Sequence, residues 1–255
     1  MAATRLGTRH WALTSKGRMT FWDQMHYIRS SIKVQLKTNL PVISRNKSWK
    51  STEALLDRVS VPDTILVKAS QEYVRGLASD ELFNHSIRAY FWGSLLKLAD
   101  RQSMDDETLY LSCLFHDLGL TDSFHDQMEG AECFTLESAE AGDQFMLQHD
   151  VDNSTRDTIY NAITLHLNPA VCGHEHGWLA HYLNAGTACD VIGLRYGSIA
   201  KPDRETVLNN YPRGAFKSAL VDIFKKEKAI RPCSRIALMS RFGFLNMIRQ
   251  APFGS

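Results

Sequence analysis

His116 and Asp117 adjoin at the end of an apolar run, Cys113-Leu-Phe-His-Asp-Leu-Gly-Leu-Thr-Asp122. A carboxylate is costly in a protein core unless it is paired or bound to a metal. Imidazole nitrogen beside carboxylate oxygen suits a divalent first-row cation such as zinc, iron or manganese. Two residues far away in sequence extend the pattern: His85, in Phe83-Asn-His-Ser-Ile-Arg88, and Asp190, in Ala188-Cys-Asp-Val-Ile-Gly193. Three or four protein ligands leave a coordination position for water, whose pKa zinc lowers toward neutrality. Each residue also has a plainer reading. A lone histidine is more often a core imidazole bonded to backbone, and Asp190 could be a helix-interior carboxylate paired with arginine. The ordered set of four favours the metal.

Helices must carry these side chains, because from residue 61 onward the apolar residues recur at helical spacing. Val61-Pro62-Asp63 opens the first, with Ile65, Leu66, Ala69, Tyr73 and Leu77 as its apolar stripe. A second, over about 79–98, puts His85, Arg88 and Trp92 on one face at i, i+3, i+7. Asp105 or Asp106 caps a third that ends at the His116-Asp117 doublet, with Gly119 beyond it. Further helices are predicted over about 136–149, from a cap at Ser154-Thr-Arg-Asp157 to His166 with Pro169 as stop, and over 178–194. Others follow near 204–210, 216–228 and 236–247. No alternating strand pattern or internal repeat is present. The expected fold is all-α, a compact helical bundle, in which a mid-helix His85, a helix-end doublet and a mid-helix Asp190 can meet.

The chain has 255 residues, 44% hydrophobic and 22% charged, ordinary for a globular protein with one sizeable core. No apolar stretch approaches the 18 or more residues of a spanning helix, so no membrane partner is expected. Its five cysteines form no CxxC pair, which favours free thiols in a reducing, cytoplasmic setting. Net charge is +1, but unevenly distributed: residues 1–50 hold ten Lys/Arg and one acid, Asp23. That asymmetry divides the chain into a basic extension, 1–60, and a domain, 61–255. The acidic remainder carries no nucleic-acid footprint. The basic segment reads as a peripheral helix built on Phe21-Trp22, Met25, Ile28 and Ile32; a mitochondrial targeting segment is the alternative. It could also serve as an arm in a homo-oligomer.

The segments FNHSIRAYFWG (83–93), CLFHDLGLTD (113–122), Phe134–Gly142, Ala162–Pro169 and Asn184–Gly193 resemble the HD-domain superfamily of metal-dependent enzymes, and within it the cyanamide hydratase branch. The resemblance spans about residues 60 to 255. It implies an HD-domain bundle with His85, His116, Asp117 and Asp190 as ligands of a divalent metal, with zinc favoured over iron or manganese. It also implies that Asp117 and His166 act in catalysis, and that Asp122 shuttles protons from a loop facing the pocket. The bland readings are turn chemistry for Asp122 and a helix C-cap for His166. Glu137 would orient a ligand histidine or simply favour a helix N-terminus, while Arg88 is best read as an ion-pair partner.

The implied reaction is addition of water to a small-molecule substrate, a nitrile carbon becoming an amide. Phosphoester hydrolysis is the alternative, weakened because Leu120 stands where several HD phosphohydrolases carry Lys or Glu. A di-iron oxygenase would need further histidines, and only His166 is placed for that. A degenerate binding module would have lost ligands, yet all four are present. Cys172-Gly-His-Glu-His176 lacks a second ligand pair and reads as a loop. His181 falls on the helix face opposite Asp190.

Overall fold

The computed structural model describes residues 5–39, 53–125 and 128–253, among which there are thirteen α-helices and no strand. The all-α bundle read from sequence is the observed fold. After α1 (Arg9–Ser15) and α2 (Phe21–Asn39) come α3 (Ile65–Arg75), α4 (Asp80–Ala99), α5 (Asp106–Phe115), α6 (Phe134–Gln148) and α7 (Asn153–Leu165). The short α8 (Gly173–His176) leads into α9 (Trp178–Ile192). The chain closes with α10 (Lys201–Asn210), α11 (Phe216–Ile230), α12 (Arg235–Arg241) and α13 (Phe244–Gln250).

Local chemistry explains the boundaries. Ser79 and Asp105 cap α4 and α5, each side chain accepting from the amide three residues on, and acids occupy both first turns. The cap of α7 is Asp152 rather than the Ser154-to-Asp157 stretch, because its carboxylate accepts from Thr155 N. The single helix expected over 236–247 is two helices: Gly243 at φ +88° takes a left-handed conformation that ends α12 and starts α13. Ile65, placed in the apolar stripe of α3, is instead 86% exposed, and Val67 and Val74 make the buried contact.

The centre of the bundle is the crossing of α4 and α9. Gly93 and Gly186 permit it: a Cβ on Gly186 would lie 2.2 Å from the Ala89 carbonyl oxygen, and one on Gly93 would lie 2.8 Å from that of Tyr182. Backbones this close bring Asp190 of α9 onto the His85, Arg88 and Trp92 face of α4. Helices α5, α6 and α7 pack around the pair, and α11 to α13 form a second apolar layer on Phe216, Leu220, Phe224 and Ile248.

The N-terminal segment is more tightly integrated than a peripheral arm. Trp11, Met19 and Tyr27 are buried in the main core, and the Tyr27 hydroxyl donates to the Leu167 carbonyl at 2.7 Å. Helix α2 does not bury its expected apolar stripe, however. Phe21, Trp22, Met25 and Ile32 are exposed, and the face with Tyr27 is turned inward. Residues 1–4 and 40–52 of the basic extension lie outside the described residues. Among the described residues, no helix is long and apolar enough to cross a membrane.

Candidate metal centre

His85 lies buried in α4, His116 forms the C-cap of α5, and Asp117 turns the chain into a short 3-10 segment, Leu118–Leu120. That turn is held against α6. Gly119 N donates to Ser138 Oγ at 2.8 Å, and a Cβ on Gly119 would lie 2.2 Å from the Phe134 carbonyl oxygen. Only glycine admits this approach, and it aims the preceding Asp117 inward.

Three ligand atoms converge. His85 Nε2 lies 3.2 Å from His116 Nε2 and 3.4 Å from Asp117 Oδ2, and His116 Nε2 lies 3.1 Å from that same oxygen. Together the three buried side chains form a group able to hold a metal ion. The hydrogen bonds on the far sides of the rings assign the tautomers. His116 Nδ1 donates to the Cys113 carbonyl and His85 Nδ1 to the Asp190 carboxylate, both at 2.7 Å. Both Nε2 atoms therefore present lone pairs to each other and to Asp117. With both rings neutral, three acceptors face one another with no donor among them, an arrangement that a proton or a metal cation resolves.

The electrostatics agree. Burial opposes charge on His85, yet its contacts with Asp117 and Asp190 outweigh burial and raise its pKa above the ordinary histidine value. Burial would raise the Asp117 carboxyl, but the His116 and His85 rings hold it well below the usual carboxylate range. The group attracts positive charge and keeps its carboxylate ionised.

His166, the C-cap of α7, joins this group from the other side. Its Nδ1 donates to the Ile163 carbonyl at 2.7 Å, and its Nε2 lies 3.8 Å from Asp117 Oδ1. Burial, and then the neighbouring His116 ring, lower its pKa to about 3, so the ring is neutral at ordinary pH. The loop after it is pinned: Asn184 Nδ2 donates to the His166 and Asn168 carbonyls at 2.7 and 3.0 Å, and Arg235 donates to Asn168 Oδ1. Nothing local in the sequence marks Asn184 or Arg235 as a loop anchor.

Asp190 is not brought into the ligand group. Its carboxylate sits behind His85 and accepts from five donors: His85 Nδ1, Arg88 Nε and Nη2, Trp92 Nε1 and Arg213 Nη1, at 2.7 to 2.9 Å. Burial would raise its pKa, but Arg88 and then Arg213 hold it well below the carboxylate range. With its lone pairs so committed, Asp190 orients His85. The face His85–Arg88–Trp92 read from sequence is the face that grips it. Arg213 lies between α10 and α11, where no sequence spacing could tie it to Asp190.

Two other candidates sit elsewhere. Asp122 is exposed and absent from the cavity wall, because the 3-10 turn ends at Leu120 and directs the following loop outward. Glu137 pairs with Arg231 at 2.7 Å and accepts from Met128 N, with no ligand histidine beside it. Cys172 and His176 contact each other at the surface, and His181 donates to the Val171 carbonyl. None of these belongs to the ligand group.

His85, His116, Asp117 and His166 line a partly open cavity of about 310 Å³. Its walls are mainly apolar, with Phe134, Leu220 and Phe224 from the bundle and Tyr27, Ile28 and Ile32 from α2. Among its described lining residues there is no lysine or arginine. No protein-family model matches this sequence, and a search of curated proteins finds no match.

Proposed function

We propose that this protein is a metal-dependent enzyme of the HD-domain type that activates water for addition to a small neutral molecule, in the manner of a nitrile hydratase. One observation carries the reading: three buried acceptor atoms, His85 Nε2, His116 Nε2 and Asp117 Oδ2, converge without a donor at the base of an open cavity. The order His85, His116-Asp117, Asp190 supports it as the HD-domain pattern, with Asp190 in a supporting position.

These three side chains would hold a divalent cation, with zinc favoured, which would supply Lewis acidity and acidify a bound water. The chain's own residues do the rest. Asp190 fixes the His85 tautomer and the Cys113 carbonyl fixes that of His116, so both Nε2 lone pairs stay available. Asp117, held ionised, offers Oδ1 toward His166. The 3.8 Å gap between Oδ1 and His166 Nε2 is long for a direct hydrogen bond and suits one bridging water. Neutral His166 can accept a hydrogen bond from that water at Nε2 and orient it. In the net reaction, water oxygen bonds to the nitrile carbon, both water hydrogens end on nitrogen, and the product is the amide.

Phosphoester hydrolysis, the alternative from sequence, fits less well. A charge-rich phosphoryl transition state calls for cationic side chains beside the metal. Arg88 and Arg213 both bind Asp190, and neither lines the cavity.

Elemental analysis of protein purified without added metal tests the proposal directly. About one zinc per chain, together with amide formation from an added nitrile, is the expected result. Failure to bind any divalent metal even after reconstitution would overturn it.

A further inference from the structure

We infer, on the metal-centre reading above, that the substrate is a neutral molecule with an apolar body of roughly ten heavy atoms, given about 30 Å³ for each water-sized group, and a small polar end at the metal site. Three observations converge on this class. The first is size. The cavity of about 310 Å³ is far larger than a three-heavy-atom molecule such as cyanamide needs, and falls at the small end of drug-sized pockets.

The second is the wall. Phe134, Leu220 and Phe224 are buried against the bundle side, while Ile32, Phe242 and Met247 reach the solvent-exposed rim. The polar lining is mostly engaged in holding the fold: the Asn168 and Asn184 amide nitrogens donate to backbone carbonyls, and the Thr187 hydroxyl donates to the Asn184 carbonyl. An apolar surface of this kind gains from an apolar ligand body and nothing from a charged one.

The third is charge. Among the described lining residues Asp117 is the only carboxylate, and no lysine or arginine accompanies it. An anionic group would enter a low-dielectric space with no partner beyond the metal itself. A neutral nitrile avoids that penalty, and its nitrogen lone pair would meet a cation held by His85, His116 and Asp117.

Helix α2 takes part in this selection. Ile28 and Ile32 contribute to the wall, and the Tyr27 hydroxyl fastens the helix to Leu167, next to His166. The basic N-terminal segment, which its composition sets apart, thereby completes the substrate pocket of the rest of the chain.

Calorimetric titration of the full chain, metal-free and zinc-loaded, with three probes separates size from charge. The probes are naphthalene-1-carbonitrile, 1-naphthyl phosphate and cyanamide. The nitrile should bind both protein forms at least tenfold more tightly than either of the others. Ile28→Glu should weaken nitrile binding about tenfold or more with zinc stoichiometry unchanged, and Ile32→Glu, at an exposed position that tolerates charge in the fold, should act in the same direction.

Equal or tighter binding of 1-naphthyl phosphate overturns the neutral-substrate class. So does nitrile affinity indifferent to both variants, because the ligand would then lie elsewhere. The two levels fail separately. Normal zinc uptake with no nitrile binding removes the substrate class and leaves the metal centre. Nitrile binding in the cavity of a chain that takes up no zinc removes the metal centre and leaves an apolar-ligand pocket.

Discussion

Two buried polar clusters in this molecule contain similar residue types and behave oppositely. In one, Arg231 pairs with Glu227 at 2.9 Å and Glu137 at 2.7 Å, donates to the Ala131 carbonyl, and His125 contacts Glu227 at 3.0 Å. Burial disfavours the Arg231 charge, but Glu227 and then Glu137 outweigh it and raise its pKa. Cationic donors here face carboxylate acceptors, so opposite charges are paired. In the other, His85, His116 and Asp117 present acceptors to one another, with His166 close by. The first cluster cross-links α6 to α11; the second is a group that could hold a metal ion. Burial of charge alone therefore does not mark a functional site. The convergence of potential ligand atoms at a cavity is what makes the second cluster the candidate.

Removing one member from each cluster should break this contrast most visibly. His116→Ala is expected to reduce metal content from about one per chain to near zero and abolish activity, read by elemental analysis and turnover. Full metal retention in that variant would remove His116 from the site. Arg231→Met should behave differently, costing about 3–5 kcal/mol because it leaves two buried carboxylates without their cation. Urea denaturation measures that loss, and the folded fraction should still bind metal at the wild-type ratio. A parallel loss of metal would mean that the two clusters are one unit.

Asp190→Asn sharpens the comparison from behind the ligands. Loss of the partner that orients His85 should weaken metal affinity about 10- to 100-fold without eliminating it, as measured by competition with a chelator. Complete loss of binding would instead place Asp190 among the ligands, as the HD-type motif implies, and the group would need four protein atoms rather than three.

The smallest expected effect concerns pH. In metal-free protein the His166 pKa is lowered to about 3 in the folded state, against about 6.5 for an unperturbed histidine. The stability from keeping this ring neutral is present above pH 6.5. It is lost as pH falls toward 3, because only the unfolded chain takes up the proton. Wild type should therefore lose about 2 kcal/mol more than His166→Gln between pH 6.5 and 4.5, one unit of linkage being about 1.4 kcal/mol. Identical denaturation profiles for the two proteins across that range would show that the buried ring accepts protons freely.

Much of the architecture was legible in the order of residues. Helical periodicity, with Asp105 or Asp106 as a cap and Gly119 and Pro169 as stops, placed the main helices to within a few positions. The i, i+3, i+7 spacing of His85, Arg88 and Trp92 correctly put them on one face, but the spacing left the partner of Arg88 open between Asp190, Glu137 and a substrate, and the structure pairs it with Asp190. The misses have physical causes. Asp122 is two residues beyond a 3-10 turn, and its direction depends on how that turn packs on α6. Glu137 sits in a first helical turn, which says nothing about Arg231 lying 94 positions later.

The sequence by itself determined that the protein is helical and which side chains could bind a metal, because periodicity, capping and ligand chemistry are local or compositional properties. Only the tertiary structure decided which of them meet. The close crossing at Gly93 and Gly186 turned Asp190 toward the back of His85, the α7 C-terminus aimed His166 at Asp117, and the inward face of α2 closed the cavity wall. Those outcomes depend on backbone approach and on the balance of donors and acceptors across elements distant in the chain, which no spacing along the chain encodes.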